Sequence, residues 1–364
     1  MTLAAGAAPF ENNEYSPEYR MTLVNSLVHT MARRSSRHSY DYLRYLIQQS
    51  LADCPGFGAR VEVEGTINRI ADGLWHENYR FWIRGRNLPA AIAEQAYFLR
   101  LLERRYDWQA GSEPRDRLVR EAETLQALRR TDFAHPTPEF ICLVKDDESQ
   151  PIGMIETAVP GSSLDGFKDQ IALKFISRAA ANVHRLAVEQ FPHLRSNANR
   201  TQHVKARLDK LDGALYAEFP LANEVREWIE AHLPSDDRNC LLHGDLLPQN
   251  LLCDWQAYGR EDAPVGIVDW EMAQVGDPAY DLAIVSRGNR KVLGVKEGVK
   301  VLVEEYLDFG GKPISLTDVR VHELLLVLHC LEEAWREHQQ PQAGGHGPDF
   351  YENQLRSLFR RAAS

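Results

Sequence analysis

His243-Gly244-Asp245-Leu246-Leu247-Pro248-Gln249-Asn250 is followed, some way along the chain, by Ile267-Val268-Asp269-Trp270. Cys240-Leu241-Leu242 is a short apolar lead-in that reads as extended, and Leu251-Leu252-Cys253 follows the polar loop. Tyr258-Gly259-Arg260-Glu261-Asp262-Ala263-Pro264 has the composition of a hairpin tip, with Val265-Gly266-Ile267-Val268 as the returning strand. A hairpin with Asn250 at one end and Asp269 at the other brings an amide and a carboxylate to one end of its ladder. Oxygen ligands of this kind suit a hard divalent cation.

Asp245 and Asn250 stand five apart, the spacing of the protein-kinase catalytic loop H-R-D-x-x-x-x-N, with Gly244 in place of the arginine. Asp269 falls where a kinase carries the aspartate of D-F-G. Phosphoryl transfer needs a carboxylate to orient and deprotonate the acceptor, and oxygen ligands to hold magnesium against the phosphates. The His-Gly-Asp-x-x-x-x-Asn loop, together with Val268-Asp269-Trp270-Glu271 and Gly276-Asp277-Pro278-Ala279-Tyr280-Asp281-Leu282-Ala283, resembles the aminoglycoside phosphotransferase family. That family is the small-molecule branch of the protein-kinase-like fold, and it includes kinases of macrolides, choline and homoserine. The resemblance is strong over residues 240–285 and weaker but in order over 66–190. It does not cover the first fifty or so residues, and the C-terminal eighty are compatible with it.

The resemblance implies an α+β, bilobal protein-kinase-like fold with a small antiparallel-sheet N-lobe and a mainly helical C-lobe. It implies Asp245 as catalytic base, Asn250 and Asp269 as ligands of Mg2+, ATP or GTP as co-substrate, and a small hydroxylated molecule as acceptor. Asp281, one turn into a helix opened by Asp277-Pro278, is expected to accept backbone N–H bonds from the catalytic loop and hold His243 to Asp245 rigid.

Upstream, residues 61–102 read as strands. Val61 and Val63 alternate with Glu62 and Glu64, and Ile67–Ala71 is a second run. Tyr79–Ile83 and Tyr97–Leu101 are further extended runs. A strand, a loop at Asp72-Gly73 and a returning strand could cover a nucleotide's phosphates, or be a plain hairpin. Gly73 and, by resemblance, Asn78 belong to that candidate loop. Arg100 occupies the strand position of the kinase phosphate-pairing lysine; arginine keeps a cation and adds a bidentate fork. Over Pro114–Arg129, Leu118, Ala122, Leu125 and Leu128 form an apolar helical stripe. Glu121 lies on that stripe and Glu123 is turned away. A buried carboxylate needs a partner, and Arg100 is the candidate. Met154-Ile155-Glu156-Thr157 is expected to be an edge strand and hinge carrying the adenine-binding backbone.

Domain organisation follows: a helical N-terminal extension over 1–55, a nucleotide-binding N-lobe over 56–158 and a catalytic and substrate-binding C-lobe over 159–364. The extension holds helices expected over Pro17–Met31 and Ser39–Leu51, with Arg33, Arg34, Arg37 and His38 as a solvated turn between them. In the C-lobe, helices are expected over Ile171–Val188, with His184 as a packing or capping residue, and over Val295–Phe309 and Asp318–Glu337. The last has Val321, Leu324, Leu325, Leu328, Leu331 and Trp335 inside, and Glu323, Glu332, Glu333 and Glu337 as its charged residues.

The chain has 364 residues, 44% hydrophobic and 26% charged, enough for two lobes with cores. A net charge of −10 leaves no footprint for nucleic acid or an anionic membrane. Five scattered cysteines with no C-x-x-C pair point to reduced thiols, hence a cytoplasmic protein. Neither a signal peptide nor a membrane-spanning run is expected. Two other classes remain open at this point. One is a nucleotide-binding regulator without turnover, against which the joint presence of Asp245, Asn250 and Asp269 argues. The other is a metallohydrolase using His243 and Asp245, which lacks a third ligand motif.

Overall fold

The computed structural model describes residues 38–57, 61–70, 76–85, 88–102, 113–194, 199–234, 239–260, 262–288, 291–338 and 346–363. The helix expected over Pro17–Met31, the basic residues Arg33, Arg34 and Arg37, and Gly73 lie outside them. Helix α1 (Tyr40–Ala52) starts at Ser39, whose hydroxyl accepts from the Tyr42 N–H at 3.2 Å. Its spacing of three and four buries Leu43, Leu46, Ile47 and Leu51 on one side.

Strands β1 (Glu62–Arg69), β2 (His76–Arg84), β3 (Tyr97–Leu102), β4 (Phe140–Lys145) and β5 (Pro151–Thr157) form one antiparallel sheet in the order β1-β2-β3-β5-β4, and helix α2 (Glu113–Leu128) connects β3 to β4. Because strand side chains alternate, the sheet has two working faces. Tyr79, Phe81, Ile83, Leu99 and Ile155 pack with Leu43, Leu46, Ile47 and Leu51 of α1. Leu102 and Met154, on the other face, join Leu118, Ala122 and Leu125 of α2. The described part of the N-terminal extension therefore lies behind the sheet.

Two expectations are corrected here. Residues 61–70 do not hold two runs; β1 is a single strand whose register shifts between Glu64 and Asn68, around Gly65 at φ 64°. Met154–Thr157 is not an edge either. The turn at Asp146–Gln150, where the Asp146 N–H donates to the Gln150 carbonyl at 3.0 Å, folds the β4–β5 hairpin so that β5 pairs with both β3 and β4. The backbone of β5 is consumed by the ladder on both sides.

The rest of the chain is mainly helical: β6 (Ser162–Ser163), α3 (Gln170–Val183), α4 (Arg200–Leu208), α5 (Gly213–Glu218), α6 (Pro220–Ala231), β7 (Cys240–Leu242), β8 (Leu251–Cys253), β9 (Val265–Ile267), β10 (Gln274–Gly276), α7 (Ala279–Ser286), β11 (Lys291–Val292), β12 (Val295–Lys296), α8 (Gly298–Asp308), α9 (Leu316–His338) and α10 (Pro348–Ala362). The expected hairpin is present as β8–β9, with β6 on its outer side, while β7 pairs with β10. Helix α3 stops at Val183, capped by His184, rather than running to Val188. Helix α8 starts at Gly298 because Val295 and Lys296 pair with β11.

Helices α4, α5, α6 and α10 were not read from sequence. They build a second core, in which Val204, Val225, Ile229, Leu355 and Leu358 meet Leu324 and Leu328 of α9. On α9 itself the charged Glu323 is fully buried, paired with Arg320 at 2.5 Å. All five cysteines are free thiols. Among the described residues, no helix is long and apolar enough to cross a membrane.

Candidate active site

The loop between β7 and β8 is fixed from below by Asp281. Its two oxygens accept the His243 N–H at 2.8 Å and the Gly244 N–H at 2.9 Å. Asp281 is itself fully buried on the first turn of α7, and His184 closes the network, Nε2 at 3.1 Å from Asp281 and Nδ1 at 2.9 Å from the Tyr306 hydroxyl. Such a chain of satisfied buried groups holds a loop far more rigidly than exposed contacts would. Gly244 has φ 82°, and a Cβ there would meet the Met272 carbonyl oxygen at 2.0 Å. That close approach explains why glycine stands where protein kinases carry arginine.

His243 is fully buried against Trp270, ring centroids 4.7 Å apart. Its Nδ1 accepts from the Asp245 N–H at 3.3 Å, which places the proton on Nε2, 3.0 Å from the Val268 carbonyl. The Val268 N–H donates to the Asn250 carbonyl at 3.0 Å. Two bonds thus tie the loop from His243 to Asn250 to the strand end that carries Asp269. Asn250 donates its side-chain N–H groups to Asp245, to Oδ2 at 3.0 Å and to the carbonyl at 2.9 Å. The amide oxygen is then the atom that Asn250 can offer to a cation. Burial raises the Asp245 carboxyl above its ordinary range, and Arg287, Nη2 3.6 Å from Oδ1, acts in the opposite direction.

Asp269 follows β9 with φ 70°, a left-handed conformation that costs a residue with a side chain about 1 kcal/mol. Its carboxylate meets Arg100, Nη2 to Oδ1 at 2.8 Å. On its other side Arg100 pairs with Glu121, Nη1 to Oε1 at 2.5 Å, and the same Glu121 oxygen accepts the Trp270 N–H at 3.0 Å. Glu121 is 1% exposed while Glu123 is on the outer face, as the helical stripe predicts. Asn78 lies opposite Arg100 in the β2–β3 register. Glu156 is also turned to this cluster, its Oε1 4.0 Å from Arg100 Nη1. Its place at the site is therefore through its side chain, since the β5 backbone is taken up by the ladder.

Glu271, two residues beyond Asp269, had no role assigned from sequence although it stands in the quoted Asp269-Trp270-Glu271 run. Ligand oxygens of Glu121, Asp269 and Glu271 lie within 4.8 Å of one another. Burial raises the Glu121, Glu271 and Glu156 carboxyls above the ordinary range, with repulsion from Asp269 adding to it in each and Arg100 acting in the opposite direction. Glu121, Asp269, Glu156 and Glu271 all act on the single guanidinium of Arg100, with Arg117 a further cation near Glu271. Among the described residues, Glu121 Oε2, Glu156 Oε2 and Glu271 Oε2 are buried without a hydrogen-bond partner; Glu271 Oε2 stands 3.3 Å from His76 Nδ1 without hydrogen-bond alignment. Excess carboxylate charge and orphaned oxygens are the chemistry a divalent cation would complete.

The model of the phosphotransferase enzyme family matches residues 66–341. The chain belongs to that family. Among curated relatives of this family member, viomycin phosphotransferase of Streptomyces vinaceus is 26% identical over 186 residues, covering 47% of the chain and 62% of that protein. Acyl-CoA dehydrogenase family member 11 of Gallus gallus is 31% identical over 77 residues, 21% of the chain and 9% of that much longer protein. The chain thus spans less than two thirds of the length of either relative. Among solved structures, macrolide 2'-phosphotransferase MphH from Brachybacterium faecium superposes with a TM-score of 0.57 at 19% identity, covering 87% of the chain and 97% of its own. The GDP and kanamycin complex of APH(2")-IIIa gives 0.59 at 15% identity, covering 89% and 99%. The protein-kinase-like α+β fold is common to them.

Proposed function

We propose that this phosphotransferase-family chain moves the γ-phosphoryl group of ATP or GTP to a hydroxyl of a small molecule. The observation that carries this reading is the convergence of Asp245, Asn250 and Asp269. The bonds through Val268 join the loop to the hairpin end, and Arg100 reaches Asp269 from the opposite sheet. One solved neighbour is a complex with GDP and kanamycin, and another, of aminoglycoside phosphotransferase APH(4)-Ia, is a complex with ADP and hygromycin B, which is why both nucleotides and a hydroxylated acceptor are kept.

In this reading Asp245 orients the acceptor hydroxyl and takes its proton. The hydroxyl oxygen bonds to the γ-phosphorus as the bond to the bridging oxygen breaks, and the nucleoside diphosphate leaves. Asn250 and Asp269, with Glu271 beside them, would hold magnesium, which supplies positive charge against the phosphate oxygens. Arg100, braced by Glu121 and Glu156, faces the phosphates. Asn78, and by its place in the chain Gly73, belong to the strand pair that would cover them. His243 and Asp281 keep the loop in place. The proposed division is a nucleotide-binding N-lobe over 56–158 and a catalytic C-lobe over 159–364, acting in the cytoplasm.

The test is ADP and GDP release from the purified full chain across a panel of hydroxylated metabolites and antibiotics, with Asp245→Asn as control. Acceptor-dependent release that the substitution abolishes supports the reading. Tight nucleotide binding with no Asp245-dependent release from any panel member would overturn it in favour of a binding protein without turnover.

A further inference from the structure

Arg287 ends α7 in the left-handed region, with φ 47° and ψ 36°, although Gly288, the next residue, is also left-handed at φ 77°. A side chain in that conformation is disfavoured by about 1 kcal/mol and persists where the surroundings hold it. Here they do. The Gln354 amide donates to the Arg287 carbonyl at 2.8 Å, and Arg361 donates to the Gly288 carbonyl at 3.1 Å, both from α10. The Gly288 N–H donates to the Ser286 hydroxyl at 3.2 Å, and that hydroxyl bonds the buried Glu323 of α9. Two helices far apart in sequence from the catalytic loop therefore fix the backbone of one arginine.

Its side chain comes to Asp245. Arg287 Nη2 lies 3.6 Å from Oδ1, while Oδ2 is bonded to Asn250. The guanidinium thus meets the carboxylate oxygen that Asn250 leaves free. With the Arg287 side chain 55% exposed, a 3.6 Å pair contributes little to stability. Stability does not account for an arginine whose backbone is held there from two helices. A ligand anion does, since the planar fork binds carboxylate and phosphate in two-pronged fashion.

We propose that Arg287 is the acceptor-binding cation, and that the acceptor carries a carboxylate or phosphate close to the hydroxyl that is phosphorylated. This rests on the phosphotransferase reading of the same site. Polycationic acceptors such as kanamycin would bring like charge to Arg287 and be poor substrates.

The experiment measures nucleoside diphosphate release by the full chain with hydroxylated compounds sorted into four groups: carboxylates, phosphate esters, neutral polyols and aminoglycosides. It is repeated for Arg287→Gly, which suits the left-handed backbone and so keeps the fold, and for Arg287→Lys. Turnover should be confined to the carboxylate or phosphate-ester group, and which of the two responds identifies the anion. Arg287→Gly should raise the acceptor KM roughly ten- to a hundredfold, the cost of losing a charged hydrogen-bonded pair, with little change in nucleotide KM. Arg287→Lys should restore part of it. Asp245-dependent turnover of aminoglycosides or neutral polyols that matches or exceeds that of the anions would overturn the role of Arg287 and leave the phosphotransferase reading standing. So would an unchanged acceptor KM in Arg287→Gly. Absence of Asp245-dependent release from every group would remove the phosphotransferase reading, and this inference with it.

Discussion

Arg100 and Glu121 form a 2.5 Å ion pair shut away from water, and the same guanidinium reaches 2.8 Å to Asp269 on the facing hairpin. One side chain thereby joins the sheet, the helix behind the cleft and the residue expected at the metal. Arg100→Ala would leave Glu121 buried without its cation, so stability should drop by about 3 kcal/mol and nucleotide KM should rise while kcat falls. Arg100→Lys keeps the charge and loses the fork, and should be intermediate on all three. Denaturation midpoints and steady-state kinetics on both variants check this; equal behaviour of the two would show that charge alone matters.

Asp245→Asn keeps the shape of the loop and removes the proton acceptor. Turnover should fall by about 10²–10⁴-fold, with nucleotide affinity nearly intact because no phosphate contact is lost. Calorimetric nucleotide binding alongside single-turnover kinetics separates the two effects. A well-folded Asp245→Asn protein with near-normal turnover would rule out Asp245 as the base.

Asp269→Ala should weaken nucleotide binding more in magnesium than in its absence, since a carboxylate on a hard cation supplies charge that water does not. Titrations with and without magnesium give the comparison. An equal loss in both would remove Asp269 from the metal site.

Gly244→Ala adds one methyl carbon in a left-handed position and 2.0 Å from the Met272 carbonyl oxygen. The main chain must move, and the Asp281 bonds to His243 and Gly244 go with it. A loss of roughly 2–3 kcal/mol in urea denaturation is expected, together with reduced turnover. Unchanged stability would mean that the loop yields more easily than its hydrogen bonds suggest.

His135, bonded to β9 and to α3, makes stability depend on pH. Its Nδ1–H donates to the Val265 carbonyl at 2.8 Å and Nε2 accepts from Asn182 at 2.7 Å, so it is held neutral, its pKa pushed down to about 4, chiefly by burial. The folded pKa lies below the unfolded one of about 6.5. Between the two values the unfolded chain binds the extra proton, so stability present above pH 6.5 is lost as pH falls toward 4. Urea midpoints for the native chain and His135→Gln should converge over that window. Parallel curves would show that His135 does not titrate on unfolding.

The approach of Asn250 and Asp269 to one end of the hairpin was legible in the strand pattern, and the inward turn of Glu121 in the spacing of Leu118, Ala122 and Leu125, since both periodicities are local properties. Glu271 carries no role in the sequence reading because its neighbours in the cluster, Glu121 and Asp269, are brought to it only by the fold.

Sequence by itself determined the hairpin, the strand–helix pair behind Arg100 and the loop with Gly244, all local patterns backed by one resemblance. The tertiary structure decided what local pattern does not encode. Strand β5 is interior because it pairs with β3 on one side while its hairpin partner β4 takes the outer position. Glu323 is buried because Ser286 and Arg320 meet it there. Arg287 stands at Asp245 because α10, a mostly polar helix with Leu355 and Leu358 as its anchors, reaches back to hold α7's last turn. The pairing of β5 with β3, of Glu323 with Ser286 and of Arg287 with Gln354 joins residues tens of positions apart, and such partners are chosen by packing rather than by periodicity.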